Sequence, residues 1–230
     1  MKIMIFGATG MVGQGALREA LRAADVEQVL CVGRTPLGLS DPKLRELVHA
    51  DLFDYRAVEA QLSGYDACLF CLGVSSGGMS EAEYTRLSYD LTLAAATTLA
   101  RLNPRMRFVY VSGAGTDSSE QGRTMWARVK GRTENALRRL PFQAVYLFRP
   151  GAIQPLHGIV SKTPAYRWLY WATKPLLTPL RKLMPRQILS TENVGLAMLE
   201  VSRSQTPTAV LESADIYAIA QRSAGGPGRG

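Results

Sequence analysis

Residues 3–13, IMIFGATGMVG, decide the fold of this chain. Four apolar residues form a short strand, and glycines at positions 7, 10 and 13 follow it directly and open a helical pattern. Glycines in this context let the backbone turn tightly and approach a pyrophosphate, while the free N–H groups of the helix N-terminus attract its negative charge. The stretch therefore predicts a dinucleotide-binding turn.

Outward from this turn, short apolar runs alternate with helical patterns. Strands are predicted at residues 3–6, 29–32, about 47–50, 68–72, 108–111, 144–148 and 209–211. Helices are predicted at residues 11–24, 54–62, 80–102 and 124–140, with a last one capped by Thr191 that runs to about residue 202. Strands that are apolar on both faces and alternate with helices predict a doubly wound α/β fold with a mostly parallel sheet. We expect one domain over residues 1–222 and a disordered Gly/Pro-rich tail over 223–230.

The end of the second predicted strand indicates which nucleotide is bound. Arg34 follows that strand, where NAD-binding chains tend to carry an acid for the ribose 2′-hydroxyl, and an arginine there suits the 2′-phosphate of NADP. Topology places Asp51 and Leu52 at the adenine and Leu72 and Gly73 under the nicotinamide ribose. The predicted nucleotide contacts are Gly7, Thr9, Gly10, Met11, Val12, Gly13, Arg34, Asp51, Leu52, Leu72 and Gly73. NADP(H) is favoured over NAD(H).

Charge is distributed unevenly along the chain. The net charge is +8, but nine of the 27 lysines and arginines lie in residues 135–191 and all 19 acidic residues lie outside that segment. This excludes a uniformly basic protein and leaves a local positive surface. Three cysteines fit a reducing compartment, the start is too short for a signal-peptide core, and no apolar run reaches 18 residues, so a cytoplasmic location is predicted.

The chain resembles the short-chain dehydrogenase/reductase superfamily, in its extended and atypical branches, over about residues 1–155. Besides the glycine spacing, the matches are Asp90, Ser112 at a strand end, Lys130 and the run Phe148-Arg-Pro-Gly151. The resemblance implies a Rossmann fold with a small C-terminal substrate region, with residues 155–190 as a lid segment. It also implies that Lys130 holds the ribose hydroxyls, that Pro150 contacts the cofactor and that Ser112 polarises the substrate oxygen.

The resemblance breaks at the proton donor. The superfamily uses a Tyr-x-x-x-Lys pair, but Trp126 stands four residues before Lys130, and an indole N–H is far too weak an acid for this role. Three explanations stay open. Tyr84, Tyr89 or Tyr110 supplies the proton; the protein binds NADPH without turnover; or the substrate needs only hydride transfer or supplies its own proton.

Other motifs indicate no metal site. Cys68 and Cys71 lie three apart in a predicted strand, so their thiols point to opposite faces. The two histidines, His49 and His157, lie in separate regions and lack partners for a metal site or a catalytic triad.

The aromatic, basic segment 160–186 leaves several interpretations open. They are a substrate lid, a peripheral membrane contact and a protein-partner surface; nucleic acid is the least favoured partner because no known nucleic-acid module accompanies the charge. The main hypothesis is an NADP(H)-binding reductase or epimerase-like enzyme acting on a small molecule. The alternative is a non-catalytic NADPH-binding sensor or scaffold that contacts a membrane or partner through residues 160–186.

Overall fold

A seven-stranded parallel sheet forms the centre of the molecule in the computed structural model, which describes residues 1–159, 181, 183–204 and 209–225. The strand order is β3-β2-β1-β4-β5-β6-β9, and every adjacent pair is parallel. A separate parallel pair joins β7 to β8. The strands are β1 (Lys2–Phe6), β2 (Gln28–Gly33), β3 (Leu44–Val48), β4 (Ala67–Phe70), β5 (Arg107–Val111), β6 (Ala144–Arg149), β7 (Ala152–Gln154), β8 (Ile188–Ser190) and β9 (Ala209–Glu212). The predicted doubly wound α/β fold is confirmed.

Helices cover both faces of the sheet. They are α1 (Met11–Arg22), α2 (Glu81–Thr85), α3 (Leu91–Leu102), α4 (Met125–Leu137), α5 (Thr191–Arg203) and α6 (Ser213–Gly225), together with a 3-10 helix over Arg56–Leu62 and a π-helical turn over Arg86–Asp90. On one face α1 packs closely on α5, where a Cβ at Gly15 would lie 2.6 Å from the carbonyl oxygen of Thr191. The glycine therefore lets the two backbones approach.

The central strands are buried on both faces, which is why they are apolar throughout. Ile3 and Ile5 pack into the core on one face of the sheet, and Met4 and Phe6 pack into the core on the other. Cys68 lies in the second of these cores and Cys71 packs against the first. The prediction that these two thiols face opposite sides of the sheet is confirmed.

Several predicted elements have different boundaries. The third strand spans Leu44–Val48 rather than 47–50; as a sheet-edge strand it buries only two of its five residues, so its apolar signal is weak. The predicted helix over 54–62 is a 3-10 helix that begins at Arg56. The predicted helix over 80–102 does start at a Ser80 capping box, but a π-helical turn interrupts it.

The C-terminal part differs more from the prediction. Ser190, not Thr191, caps α5, because the Ser190 Oγ accepts a hydrogen bond from the Asn193 backbone at 3.0 Å. The unpredicted α6 extends through Gly225, so the first three residues of the predicted tail are helical, and residues 226–230 lie outside the described residues. Within the predicted lid segment, Ile188–Ser190 is a buried strand, while residues 160–180 and 182 lie outside the described part of the chain.

Candidate functional site

The glycine turn between β1 and α1 builds the floor of the site. Gly7 has φ +77°, and the Gly10 backbone N–H donates to its carbonyl oxygen at 2.9 Å. A Cβ at Gly13 would lie 2.1 Å from that same oxygen, so only glycine lets the helix start this close to the turn. Gly10 caps α1 without any side-chain hydrogen bond, and the first turn carries no acid. The N-terminal N–H groups of α1 are therefore available to a phosphate.

A cleft of about 1230 Å³ opens above this turn, at the carboxyl ends of β1 and β4 where the strand order reverses. Its volume exceeds the range of about 300–1,000 Å³ typical of drug-sized ligands, so the cleft has room for a larger ligand. The crevice at this reversal is where doubly wound sheets bind their ligands. The predicted site residues that line the cleft are Gly7, Thr9, Gly10, Met11, Val12, Arg34, Asp51, Leu52, Leu72, Gly73, Ser112 and Lys130.

Two predicted cofactor residues lie outside the described lining, namely Gly13 and Pro150. Gly13 contributes indirectly, because its lack of a side chain lets α1 pack closely on the glycine turn. Pro150 is buried, and its carbonyl oxygen accepts the backbone N–H of Ala114 at 2.9 Å. A cofactor contact for Pro150 stays a prediction.

Charged groups line one end of the cleft. Arg34 follows β2 directly and its side chain is exposed. Asp51 accepts the backbone N–H of Phe53 at 2.9 Å, and Glu46 accepts that of Leu37 at 2.7 Å. Arg86 reaches this region from the π-helical turn, with its guanidinium 4.8 Å from the Phe53 ring centre. Sequence patterns did not indicate Arg86, because it comes to the cleft from a helix distant in sequence.

Lys130 lies at the other end of the cleft. Its side chain is buried, and its Nζ donates to the Tyr110 hydroxyl at 3.0 Å and lies 3.4 Å from the carbonyl oxygen of Val111. A Cβ at position 73 would lie 3.8 Å from this Nζ, so the ammonium faces the end of β4. Burial lowers the pKa of Lys130, while Tyr84 and Glu134 act in the opposite direction.

Trp126 occupies the wall of the same end of the cleft. Its ring lies 3.6 Å from where a Cβ at Gly115 would be. The indole thus lines the cleft on the same helix as Lys130, one turn before it, and brings no hydroxyl to the site.

Ser112 lines the cleft, but its hydroxyl hydrogen is used inside the protein. Its Oγ lies 2.6 Å from the Glu134 carboxylate and 3.1 Å from the carbonyl oxygen of Phe148, and both groups are acceptors. Arg149 holds the same buried carboxylate through two hydrogen bonds and also lies 3.5 Å from Glu212. In this arrangement Ser112 can accept a hydrogen bond from a ligand but has no proton left to donate.

This network also corrects the prediction drawn from the basic segment. Arg149 is one of its nine positive residues, yet two carboxylates neutralise it and its side chain is largely buried, so it adds nothing to an exposed positive surface. Lys162, Arg167, Lys174 and Lys182 lie outside the described residues. No helix in the described part of the chain is long and apolar enough to cross a membrane.

The sheet order, the glycine turn and the cleft at the reversal point define a dinucleotide-binding Rossmann protein. Comparison with protein families agrees: the model described as NAD(P)H-binding matches residues 7–151, more than half of the chain. The chain belongs to this NAD(P)H-binding family.

Among curated proteins, the chain is 30% identical over 168 residues to the leucinostatins biosynthesis cluster protein T of Purpureocillium lilacinum, covering 70% of this chain and 61% of that protein. It is 26% identical to rat protein HTATIP2, covering 66% and 62%, and 26% identical to protein FMP52-2, mitochondrial, of Scheffersomyces stipitis, covering 65% of each. The chain thus spans just under two thirds of the length of these relatives.

Solved structures share the fold. The Bordetella bronchiseptica enzyme WbmF in complex with NAD⁺ superposes with a TM-score of 0.65 at 17% identity, covering 97% of this chain and 78% of that one. A Burkholderia thailandensis oxidoreductase of the short-chain dehydrogenase/reductase family gives 0.64 at 19% identity, covering 94% and 92%. The UDP-glucose 4-epimerase of Thermotoga maritima gives 0.67 at 12% identity, covering 96% and 82%. These likenesses confirm the predicted Rossmann fold.

Proposed function

We propose that the protein is an NADP(H)-dependent reductase that acts on a small carbonyl compound. The observation that carries the choice of NADP(H) is Arg34, an exposed arginine at the end of β2 that lines the cleft. A guanidinium matches the geometry and charge of a phosphate monoester. The nearby carboxylates of Glu46 and Asp51 each accept a backbone N–H of the protein.

Different residues of the cleft bind different parts of the coenzyme. The N–H groups at the start of α1 bind the pyrophosphate, and Arg34 binds the 2′-phosphate. Lys130 binds the hydroxyls of the second ribose, beside Gly73 at the end of β4, where its Nζ already points. A bound nicotinamide coenzyme supplies hydride transfer to the substrate.

The test is turnover with defined carbonyl probes. The protein is mixed with NADPH or NADH and with benzaldehyde, 2,3-butanedione or 9,10-phenanthrenequinone; loss of absorbance at 340 nm reports coenzyme oxidation, and mass spectrometry identifies the reduced product. We expect reduction with NADPH and a much slower reaction with NADH. Equal rates with the two coenzymes would contradict the NADP(H) assignment.

One observation favours a second function. Trp126 fills the cleft wall one helical turn before Lys130, where the superfamily carries its proton donor. A protein that binds NADPH tightly and oxidises it with none of the probes would be a non-catalytic NADPH sensor or scaffold. Such a sensor or scaffold would contact a membrane or a protein partner through residues 160–186. Sedimentation with anionic liposomes at low salt tests the membrane contact.

A further inference from the structure

The sequence leaves three tyrosines as candidates for the missing proton donor, and the structure distinguishes them. Tyr110 is fully buried and lies outside the described cleft lining, and its hydroxyl oxygen accepts a hydrogen bond from the Nζ of Lys130. Tyr89 also lies outside that lining, and the guanidinium of Arg132 covers its ring at 4.3 Å. Neither hydroxyl faces a ligand in the cleft.

Tyr84 differs from the other two tyrosines because it lines the cleft. Its ring is buried, with 3% of the residue exposed, and it lines the same cleft as Trp126 and Lys130. Its hydroxyl forms no hydrogen bond with the described residues. Tyr84 on α2 and Lys130 on α4 line this cleft from two different helices. Tyr84 thus contributes to the cleft that holds Lys130 a phenol with no hydrogen-bond partner among the described residues.

The surrounding helices hold this pair in place. The capping box of Ser80 and Glu83 fixes the start of α2 one turn before Tyr84. An ion pair of 2.6 Å between Glu81 and Arg128 joins α2 to α4, the helix that carries Lys130. A π-helical turn follows directly at Arg86–Asp90, and such turns occur frequently at functional sites.

We propose that Tyr84 is the proton donor of this chain, paired with Lys130 from another helix in place of a tyrosine at position 126. This inference rests on the proposed reductase function. As hydride from NADPH bonds to the carbonyl carbon, the C=O π pair moves to the oxygen, and that oxygen takes the phenol proton of Tyr84. The Lys130 ammonium faces the phenolate, which regains its proton from water in the open cleft. The net reaction consumes NADPH and one proton and forms NADP⁺ and an alcohol.

A first experiment needs no turnover. 3-Fluorotyrosine is placed at position 84 or, as a control, at position 89, and ¹⁹F NMR spectra are recorded while NADP⁺ is added. We expect the resonance at 84 to shift saturably and the resonance at 89 to stay in place, because only residue 84 lines the cleft. A resonance at 84 that does not respond to saturating NADP⁺ would overturn the proposal.

A second experiment measures the role in the reaction. Tyr84→Phe should lower the rate of reduction of the three carbonyl probes about 100-fold or more, the usual contribution of a general acid, with NADPH affinity unchanged. Tyr89→Phe should keep the wild-type rate. Adding Trp126→Tyr to Tyr84→Phe should restore part of the activity, because it returns a phenol to the cleft one turn before Lys130.

The measured rates distinguish a failure of the donor role of Tyr84 from a failure of the proposed reductase function. A wild-type rate in Tyr84→Phe would overturn the donor role and leave the reductase function standing. Wild-type protein that binds NADPH but reduces none of the probes would contradict the reductase function, and the donor role with it.

Discussion

The Nζ of Lys130 donates a 3.0 Å hydrogen bond to the hydroxyl oxygen of Tyr110, a side chain fully buried in the sheet. The ammonium also lies 4.9 Å from the centre of the same ring. This pairing ties a helix residue to the central strand β5 and holds the ammonium at the end of the cleft. Lys130 is thus preorganised for a ligand before any ligand binds.

Burial of Lys130 gives the stability a defined pH dependence. The folded pKa of Lys130 lies below its ordinary value of 10.5, because burial disfavours the ammonium. Between these two values the unfolded chain binds more protons, so the contribution of Lys130 to stability rises with pH. We expect Lys130→Met to be more stable than wild type near pH 7, with this advantage shrinking as the pH approaches 10.5.

Urea unfolding of both proteins at several pH values between 7 and 10.5 checks this expectation. Burial raises the pKa of the Cys31 and Cys71 thiols to about 12, so these groups lower stability as the pH rises above 9 in both proteins and cancel in the difference. A difference in unfolding free energy between wild type and Lys130→Met that stays constant with pH would contradict the lowered pKa of Lys130.

Gly13→Ala tests the tight turn. The added methyl group would lie 2.1 Å from the carbonyl oxygen of Gly7, so α1 must move away from β1. We expect a loss of about 1–3 kcal/mol of unfolding free energy, the usual cost of overpacking, and a large loss of NADPH affinity. Gly77→Ala is the matched control, since its Cβ has no neighbour closer than 3.6 Å. Wild-type affinity in Gly13→Ala would contradict the role of the turn.

Arg149→Met tests the buried ion pair. The change leaves the Glu134 carboxylate buried without its cation, which typically costs about 3–5 kcal/mol. Chemical denaturation measures the loss. The control is Arg56→Met, which breaks a solvent-exposed pair with Asp54 and should change stability little. Equal losses of unfolding free energy in the two variants would contradict a special contribution of the buried Glu134–Arg149 pair to stability.

Local patterns in the sequence predicted the fold and many of the residues that line the cleft. The glycine turn, Arg34 and the end of β4 follow from strand positions, because carboxyl ends of parallel strands meet at one edge of the sheet. The helix α6 went unpredicted although Ile216, Ile219 and Ala220 are buried at helical spacing.

Other features depend on tertiary contacts, which local sequence patterns do not reveal. The hydrogen bond of Ser112 to Glu134, the neutralisation of Arg149 and the shared cleft of Tyr84 and Lys130 each join elements distant along the chain. A motif can indicate that a residue type is present but not which of its hydrogen bonds are already used. This is why the proton donor stayed open among three tyrosines at the level of the sequence.

The most direct test of the account is calorimetric titration of NADPH and NADH into wild type, Arg34→Ala and Arg105→Ala, the last being an exposed arginine away from the cleft lining. A charged hydrogen bond contributes about 1.5–3 kcal/mol, or roughly 10- to 100-fold in affinity. We predict that wild type and Arg105→Ala prefer NADPH by such a factor, and that Arg34→Ala loses the preference while its NADH affinity is unchanged. An unchanged preference in Arg34→Ala would contradict the role of Arg34 at the 2′-phosphate, and equal affinities of wild type for NADPH and NADH would contradict the assignment of this protein to NADP(H).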